Sequence, residues 1–126
     1  MKTDNETASI LLVEDHTAVR ELLREALERA GYACTAVGGW TAAVAELRRS
    51  EYQLVLADVE LPGVSGLALA ETLRNLYPSL PVLLISGSPE YRERALQAGA
   101  RAFLLKPSPT SVVVEHVRAA LAGKSS

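Results

Sequence analysis

Five side chains that can take part in phosphate chemistry stand at the ends of four short apolar runs. Two adjacent acids end the first run, and an acid, a hydroxyl and an amine end the other three: Glu14, Asp15, Asp58, Ser86 and Lys106. If the runs are neighbouring parallel strands, their carboxyl ends bring these groups to one crevice, which is where open α/β sheets bind ligands. Acids for a divalent cation, a nucleophile and a cationic group are what phosphoryl transfer requires. The spacing therefore predicts one phosphoryl-transfer site.

Apolar runs alternate with stretches of helical period along the chain. We predict strands at 9–13, 32–37, 54–57, 81–85 and 101–105, because near-continuous apolar runs are typical of strands buried on both faces of a parallel sheet. Each strand is followed by apolar residues spaced three or four positions apart, as in an amphipathic helix. This order predicts an α/β fold of five strand–helix units. Right-handed crossovers favour the open, doubly wound strand order 2-1-3-4-5.

Glycine, serine and proline mark the predicted helix boundaries. Gly31 is expected to end the first helix. Ser88 and Ser108 are each expected to be an N-cap hydroxyl, followed by proline at the first helical position. The apolar faces of the five helices are expected to contain Val19, Leu22, Leu23, Ala26, Leu27, Ala30, Ala43, Val44, Leu47, Leu69, Ala70, Leu73, Leu76, Tyr91, Ala95, Leu96, Val113, Val117, Ala120 and Leu121.

Composition limits the class of protein. The chain has 126 residues, which suits one domain, with 48% hydrophobic and 22% charged residues as in soluble globular proteins. The net charge is −2 without a basic run, which argues against nucleic-acid binding by the chain itself. Its single cysteine excludes an internal disulfide, and no segment is apolar enough for a signal peptide or membrane helix. We expect a cytoplasmic domain at 9–122 with flexible tails at 1–8 and 123–126.

The polar positions, taken together, resemble the receiver domain of two-component response regulators. The similar segments are Leu11-Leu12-Val13-Glu14-Asp15, Asp58-Val59-Glu60-Leu61-Pro62-Gly63 with Gly66, Ile85-Ser86-Gly87, Gly99-Ala100 and Lys106-Pro107. Each segment alone is weak, but their order and their places at strand ends are specific. The resemblance extends from Ser9 to Leu121 and implies a flavodoxin-like (βα)5 fold.

The resemblance also implies a nucleophile and a metal. Asp58 would accept a phosphoryl group from a histidine of a sensor histidine kinase or of a histidine-phosphotransfer protein. Mg²⁺ would be held by the carboxylates of Glu14, Asp15 and Asp58 and by the backbone carbonyl of Glu60. Lys106 would pair with a phosphoryl oxygen as a point charge.

A conformational switch is implied as well. Ser86 would hydrogen-bond another phosphoryl oxygen, and Phe103 would turn inward behind it. An unknown downstream protein would then dock on the face formed by the helices after Ser88 and Ser108. The chain would be a monomer or a weak, phosphorylation-dependent dimer.

Three positions depart from the usual pattern of the family. Ser86 replaces a frequent threonine, and Phe103 replaces a frequent tyrosine. Glu60 adds a carboxylate beside the phosphoryl site and predicts an altered phosphate lifetime of open sign. The Lys106-Pro107 bond is expected to be cis.

Other functions compete with that of a stoichiometric phosphoacceptor, which is not an enzyme beyond slow self-dephosphorylation. The chain could be a receiver cut from a hybrid histidine kinase, a phosphate sink, or a scaffold that works without phosphate. Asp58-Val59-Glu60 faintly resembles the Asp-x-Asp of aspartyl-phosphate phosphatases, but there the nucleophile usually ends the first strand. His16, His116 and Cys34 are expected to have no chemical role.

Overall fold

A parallel sheet of five strands forms the centre of the computed structural model, which describes residues 7–123. The strand order is 2-1-3-4-5, so the predicted doubly wound, flavodoxin-like topology is confirmed. The strands are β1 (Ser9–Val13), β2 (Ala33–Val37), β3 (Leu54–Asp58), β4 (Val82–Ser86) and β5 (Ala102–Leu105). The helices are α1 (Thr17–Arg29), α2 (Trp40–Arg49), α3 (Gly66–Leu76), α4 (Arg92–Gln97) and α5 (Thr110–Leu121), with a 3₁₀ turn at Pro89–Tyr91 before α4.

The side chains of the apolar strands pack in two separate cores, one on each face of the sheet, because successive side chains of a strand point to opposite faces. In β1, Leu11 and Val13 pack with residues of α2, α3 and α4, whereas Ile10 and Leu12 pack with residues of α1 and α5. Every residue of β3 and β4 is buried. These two strands carry Asp58 and Ser86 at their ends, so the site is built on the most deeply buried part of the sheet.

One predicted helix start is wrong, and at the other only the predicted hydroxyl cap is absent. Ser88 begins the 3₁₀ turn, with proline at its first position as predicted, but its hydroxyl does not cap the turn. Helix α5 begins after Pro109, and the Ser108 hydroxyl donates instead to the backbone carbonyl of Leu105. In both cases the serine hydroxyl is used by a partner outside the helix that it was expected to cap.

Some residues of the predicted apolar faces are also exposed. Leu22, Leu76 and Leu96 have 57%, 65% and 46% of their surface exposed. A helical period identifies one side of a helix, but it does not show where that side extends past the sheet.

The two predicted tails are only partly within the described residues. The Ala8 carbonyl accepts a hydrogen bond from the Ala33 amide, which continues the pairing of β1 with β2 by one residue. At the other end, Gly123 has a positive φ of 83° and its amide donates to the Ala120 carbonyl. Residues 1–6 and 124–126, to which the rest of that prediction applies, lie outside the described residues.

Candidate functional site

The polar residues that end the four strands meet at the carboxyl edge of the sheet. Backbone hydrogen bonds continue sideways past the strand ends: the Glu14 amide donates to Val37 at 2.9 Å and the Lys106 amide donates to Ser86 at 2.8 Å. In the register of β3 and β4, Asp58 lies opposite Ile85, directly before Ser86. Because strands fix these backbones, the side chains start from a rigid edge. The predicted convergence is observed.

Lys106 reaches from β5 across the site to two acids. Its Nζ lies 2.5 Å from Asp58 Oδ2 and 3.0 Å from Glu14 Oε1. The side chains of these acids are 4% and 1% exposed, while that of Lys106 is 25% exposed. The ammonium therefore bridges two buried carboxylates, on a side chain that is partly exposed.

Three carboxylates are close enough to share one cation. Glu14, Asp15 and Asp58 each offer an oxygen, and these oxygens lie within 4.8 Å of one another. Lys106 supplies one positive charge against three negative ones, so a net negative charge remains at the crevice. Hard carboxylate oxygens are the ligands that Mg²⁺ prefers, and Asp15 is exposed to admit a hydrated ion. The donor set thus fits the predicted metal.

Burial and charge act in opposite directions on the titration of the site. Burial raises the pKa of Glu14 above its usual 4.5, helped by the charge of Asp58 and opposed by hydrogen bonds from the His16 amide and from Lys106. Burial alone would lower the pKa of Lys106, but its hydrogen bonds to Asp58 and Glu14 raise the pKa on balance. Lys106 accordingly remains an ammonium, the charged form needed to bind an anion.

The loop after β3 folds back closely over Asp58. The Glu60 amide donates to Asp58 Oδ1 at 2.7 Å, which orients the carboxylate. The Gly66 amide donates to the Val59 carbonyl at 2.7 Å, and a Cβ atom at Gly66 would lie 2.2 Å from the backbone oxygen of Asp58. Any side chain at Gly66 would therefore push this loop away. Position 66 requires glycine for steric reasons.

Glu60 makes contacts that the sequence did not reveal. Its Oε1 accepts a hydrogen bond from the Ser86 hydroxyl at 3.1 Å, and its Oε2 lies 3.4 Å from the Ser88 hydroxyl. The Ser86 oxygen also accepts from the Ser88 amide at 3.0 Å. The loops after β3 and β4 are thus joined by side chains, and the buried Ser86 hydroxyl already has an acceptor.

Phe103 is already buried behind the site. Its ring is 5% exposed, packs with Ala95, Ala98 and Ala100, and lies under the Arg92 guanidinium, whose carbon is 5.1 Å from the ring centre. A switch role for Phe103 stays a prediction. In this structure the ring of Phe103 is already turned inward, so any switch would start from that position.

The side chains of His16 and Cys34 are not among the groups that could hold a metal, although the His16 backbone amide donates to Glu14 Oε2. Among residues 7–123, the group of acids suited to a metal includes no histidine and no cysteine. Burial raises the pKa of the Cys34 thiol to about 12, so this thiol is protonated and unreactive at neutral pH. The Lys106-Pro107 peptide is cis, as predicted.

Comparison with known proteins decides the family. The sequence profile described as "Response regulator receiver domain" matches residues 10–118. The chain belongs to this family. Receiver domains are phosphoacceptors that interact with histidine kinases or phosphotransfer proteins, and the acidic cluster of this receiver domain fits a phosphoacceptor site.

Relatives of this receiver domain include both regulators and kinases. It is 38% identical over 112 residues to the response regulator protein FleR of Pseudomonas aeruginosa, covering 87% of this chain and 24% of FleR. It is 32% identical over 113 residues to the sensor histidine kinase RcsC of Escherichia coli, covering 88% of this chain and 12% of RcsC. The chain spans between 12% and 52% of the length of the curated relatives it matches.

Solved structures agree with the fold. The response regulator protein TrrA from Thermotoga maritima, in complex with Mg²⁺-BeF, has a TM-score of 0.83 and 29% identity, covering 89% of this chain and 97% of TrrA. Within residues 7–123, every helix is too short or too polar to cross a membrane.

Proposed function

We propose that Asp58 of this receiver domain is the residue that accepts the phosphoryl group, in a Mg²⁺-dependent reaction. The observation that carries the proposal is the convergence of Glu14, Asp15 and Asp58 within 4.8 Å, with Lys106 hydrogen-bonded to two of them. The donor is a phosphohistidine of a sensor histidine kinase or of a histidine-phosphotransfer protein. The acceptance is stoichiometric, not the turnover of an enzyme.

The chain's own groups account for the steps. An oxygen of Asp58 attacks phosphorus, the bond from phosphorus to the donor imidazole nitrogen breaks, and the imidazole takes up a proton. The Lys106 ammonium, which contacts Asp58 Oδ2, is close enough to pair as a point charge with an oxygen of the phosphoryl group on Asp58. The amide of Glu60 donates to Asp58 Oδ1 and so orients the carboxylate, with Oδ2 on the side of Lys106.

A divalent cation would be held by Glu14, Asp15, Asp58 and the backbone carbonyl of Glu60. Bound there, Mg²⁺ supplies the positive charge that lets an anionic carboxylate approach an anionic phosphoryl group. The Mg²⁺-BeF complex of TrrA supports the binding of Mg²⁺ by similarity, and the choice of ligands rests on the acids that meet here.

The readout is the docking of another protein. Ser86 donates to the phosphoryl oxygen once it is present, and the loop before α4 moves with it, with Phe103 behind. The partner docks on α4, β5 and α5, where a cavity of about 250 Å³ is flanked by the exposed side chains of Leu96, Leu105 and Val112. This chain by itself binds no nucleic acid and is a monomer or a weak, phosphorylation-dependent dimer.

A second candidate has its own support. The match to a small part of RcsC favours a receiver that is one module of a larger kinase, or that acts as a phosphate sink. In either case a cytoplasmic location suits the free thiol of Cys34.

The test is the intact mass of the protein after incubation with Mg²⁺ and acetyl phosphate. We expect wild type to gain one phosphoryl group, and Asp58→Asn to gain none. A matched control is Glu71→Gln, which removes one exposed acid from α3 and should be phosphorylated like wild type. A gain in both wild type and Asp58→Asn, or in neither, would contradict the assignment. Multiple turnover of small phosphate esters would support the phosphatase alternative instead.

A further inference from the structure

Glu60 accepts a hydrogen bond from the Ser86 hydroxyl, the same group that would donate to the phosphoryl oxygen in the proposed switch. Ser86 is completely buried, and its hydroxyl proton is donated to Glu60 Oε1 at 3.1 Å. A serine hydroxyl carries one proton and can donate to one acceptor at a time. Donation to Glu60 and donation to a phosphoryl oxygen on Asp58 therefore exclude each other.

The carboxylate of Glu60 is held by both serines of the loop after β4. Its second oxygen lies 3.4 Å from the Ser88 hydroxyl, and the Ser88 amide donates to Ser86 Oγ at 3.0 Å. The two Glu60 contacts join the loop after β3 to the loop after β4, and the hydrogen bond from the Ser88 amide holds Ser86 Oγ within that second loop. We call these three contacts the Glu60 link.

We propose that the Glu60 link is an intramolecular competitor of the phosphoryl group, which holds the Ser86 hydroxyl until phosphorylation displaces it. The inference rests on the proposed phosphoacceptor role of Asp58. Glu60 is thereby a positioning residue that acts through Ser86, in addition to any effect of its charge on the phosphate lifetime.

The expected change in affinity for a phosphoryl mimic depends on how exposed Glu60 is to solvent. A hydrogen bond to a charged group is strong when buried, but Glu60 itself is exposed, so solvent weakens the link. We expect removal of the link to tighten the binding of a phosphoryl mimic about fivefold, equivalent to about 1 kcal/mol.

The first experiment measures the affinity of the full chain for beryllofluoride in saturating Mg²⁺. Glu60→Ala should bind about fivefold more tightly than wild type, and Glu60→Gln, which keeps an acceptor oxygen, should gain less. Glu51→Ala removes an exposed acid that precedes β3 at the opposite edge of the sheet, and should bind like wild type. An equal gain in Glu60→Ala and Glu60→Gln would mean that charge alone is responsible, and would overturn the link.

A double-mutant cycle separates the hydroxyl from the charge. In the Ser86→Ala background the hydroxyl is absent, so Glu60→Ala should give a gain smaller than in wild type by about threefold. The same gain in both backgrounds would overturn the link.

A second readout needs neither metal nor phosphate. In the metal-free protein, Glu60→Ala should increase the solvent-exchange rate of the Ser88 amide measured by NMR, because Ser86 Oγ loses the bond that fixes its rotamer. Glu51→Ala should leave that rate unchanged. An unchanged rate in Glu60→Ala would contradict the link. If wild type took up no beryllofluoride, the proposed function would fail, and this exchange rate alone would decide the link.

Discussion

Replacing Lys106 by methionine would keep most of the apolar part of the side chain and remove the ammonium that bridges Asp58 and Glu14. Both carboxylates are almost fully buried, and neither would retain the partner that now lies 2.5 and 3.0 Å away. We expect the metal-free protein to lose stability, and Mg²⁺ to restore much of that loss by supplying positive charge to the same acids.

The magnitude follows from the burial of the pair. Removing one partner of a buried ion pair costs about 3–5 kcal/mol, but the Lys106 side chain is 25% exposed, so we expect about 2–3 kcal/mol. For a domain of this size, that loss lowers the melting temperature by about 10 °C.

The loss should depend on pH. The pKa of Glu14 is raised in the folded protein above 4.5, so the folded state binds more protons than the unfolded state between these two values. The contribution of Glu14 protonation to the free energy of unfolding is therefore fully present below pH 4.5. It is lost as pH rises through the pKa of Glu14 in the folded protein. Lys106→Met removes a contact that lowers this pKa, so its destabilisation should be larger at about pH 7 than at about pH 5.

The assay is urea unfolding of wild type and Lys106→Met at both pH values, with and without Mg²⁺. Arg48→Met, which removes an exposed cation at the end of α2, is the control and should change stability by less than about 0.5 kcal/mol. If Lys106→Met were as stable as wild type at about pH 7 without Mg²⁺, the account of the ion pair would be refuted.

Three further outcomes are expected. Gly66→Ala should lower stability by about 2 kcal/mol and slow phosphorylation by acetyl phosphate, because a Cβ atom there would meet the Asp58 backbone oxygen at 2.2 Å; a variant with wild-type urea midpoint and rate would contradict this. Calorimetry should show weaker Mg²⁺ binding at about pH 5.5 than at about pH 7, because the raised pKa of Glu14 lets protons compete with the metal. Glu14→Gln should make the Mg²⁺ affinity less dependent on pH; an unchanged dependence in this variant would show that another group is responsible. Leu83→Ala, in the buried centre of β4, should cost about 3–4 kcal/mol, whereas Leu76→Ala should cost less than about 0.5 kcal/mol because Leu76 is 65% exposed; similar urea midpoints for the two variants would contradict the burial assigned to them.

The meeting of the acids could be predicted from sequence because backbone geometry determines it, whereas the predicted strand order rested partly on the resemblance to receiver domains. Apolar runs on both faces require a parallel sheet, and parallel strands all end at the same edge. Asp58, Ser86 and Lys106 therefore had to approach one another once the strand order was known. Their positions depend little on how any single side chain turns.

The Glu60 link could not be predicted in the same way. Glu60 and Ser86 are 26 positions apart, and their contact depends on the rotamer of an exposed side chain. The sequence placed Ser88 as a helix cap because serine before proline is typical of that role, yet its hydroxyl lies beside Glu60. A local pattern does not show whether a hydroxyl will accept a hydrogen bond from the following backbone amides or donate one to a distant carboxylate.

The hydrogen bonds that continue past the strand ends have a consequence for how such a site can diverge in evolution. Neighbouring strands lie about 4.8 Å apart, and the oxygens of Glu14, Asp15 and Asp58 lie no farther than 4.8 Å from one another. The spacing that brings the acids together is thus inherited from peptide pairing, which any apolar sequence in β1 and β3 can maintain. Helices and partner-facing surfaces can be exchanged extensively between relatives while the reactive distances stay the same.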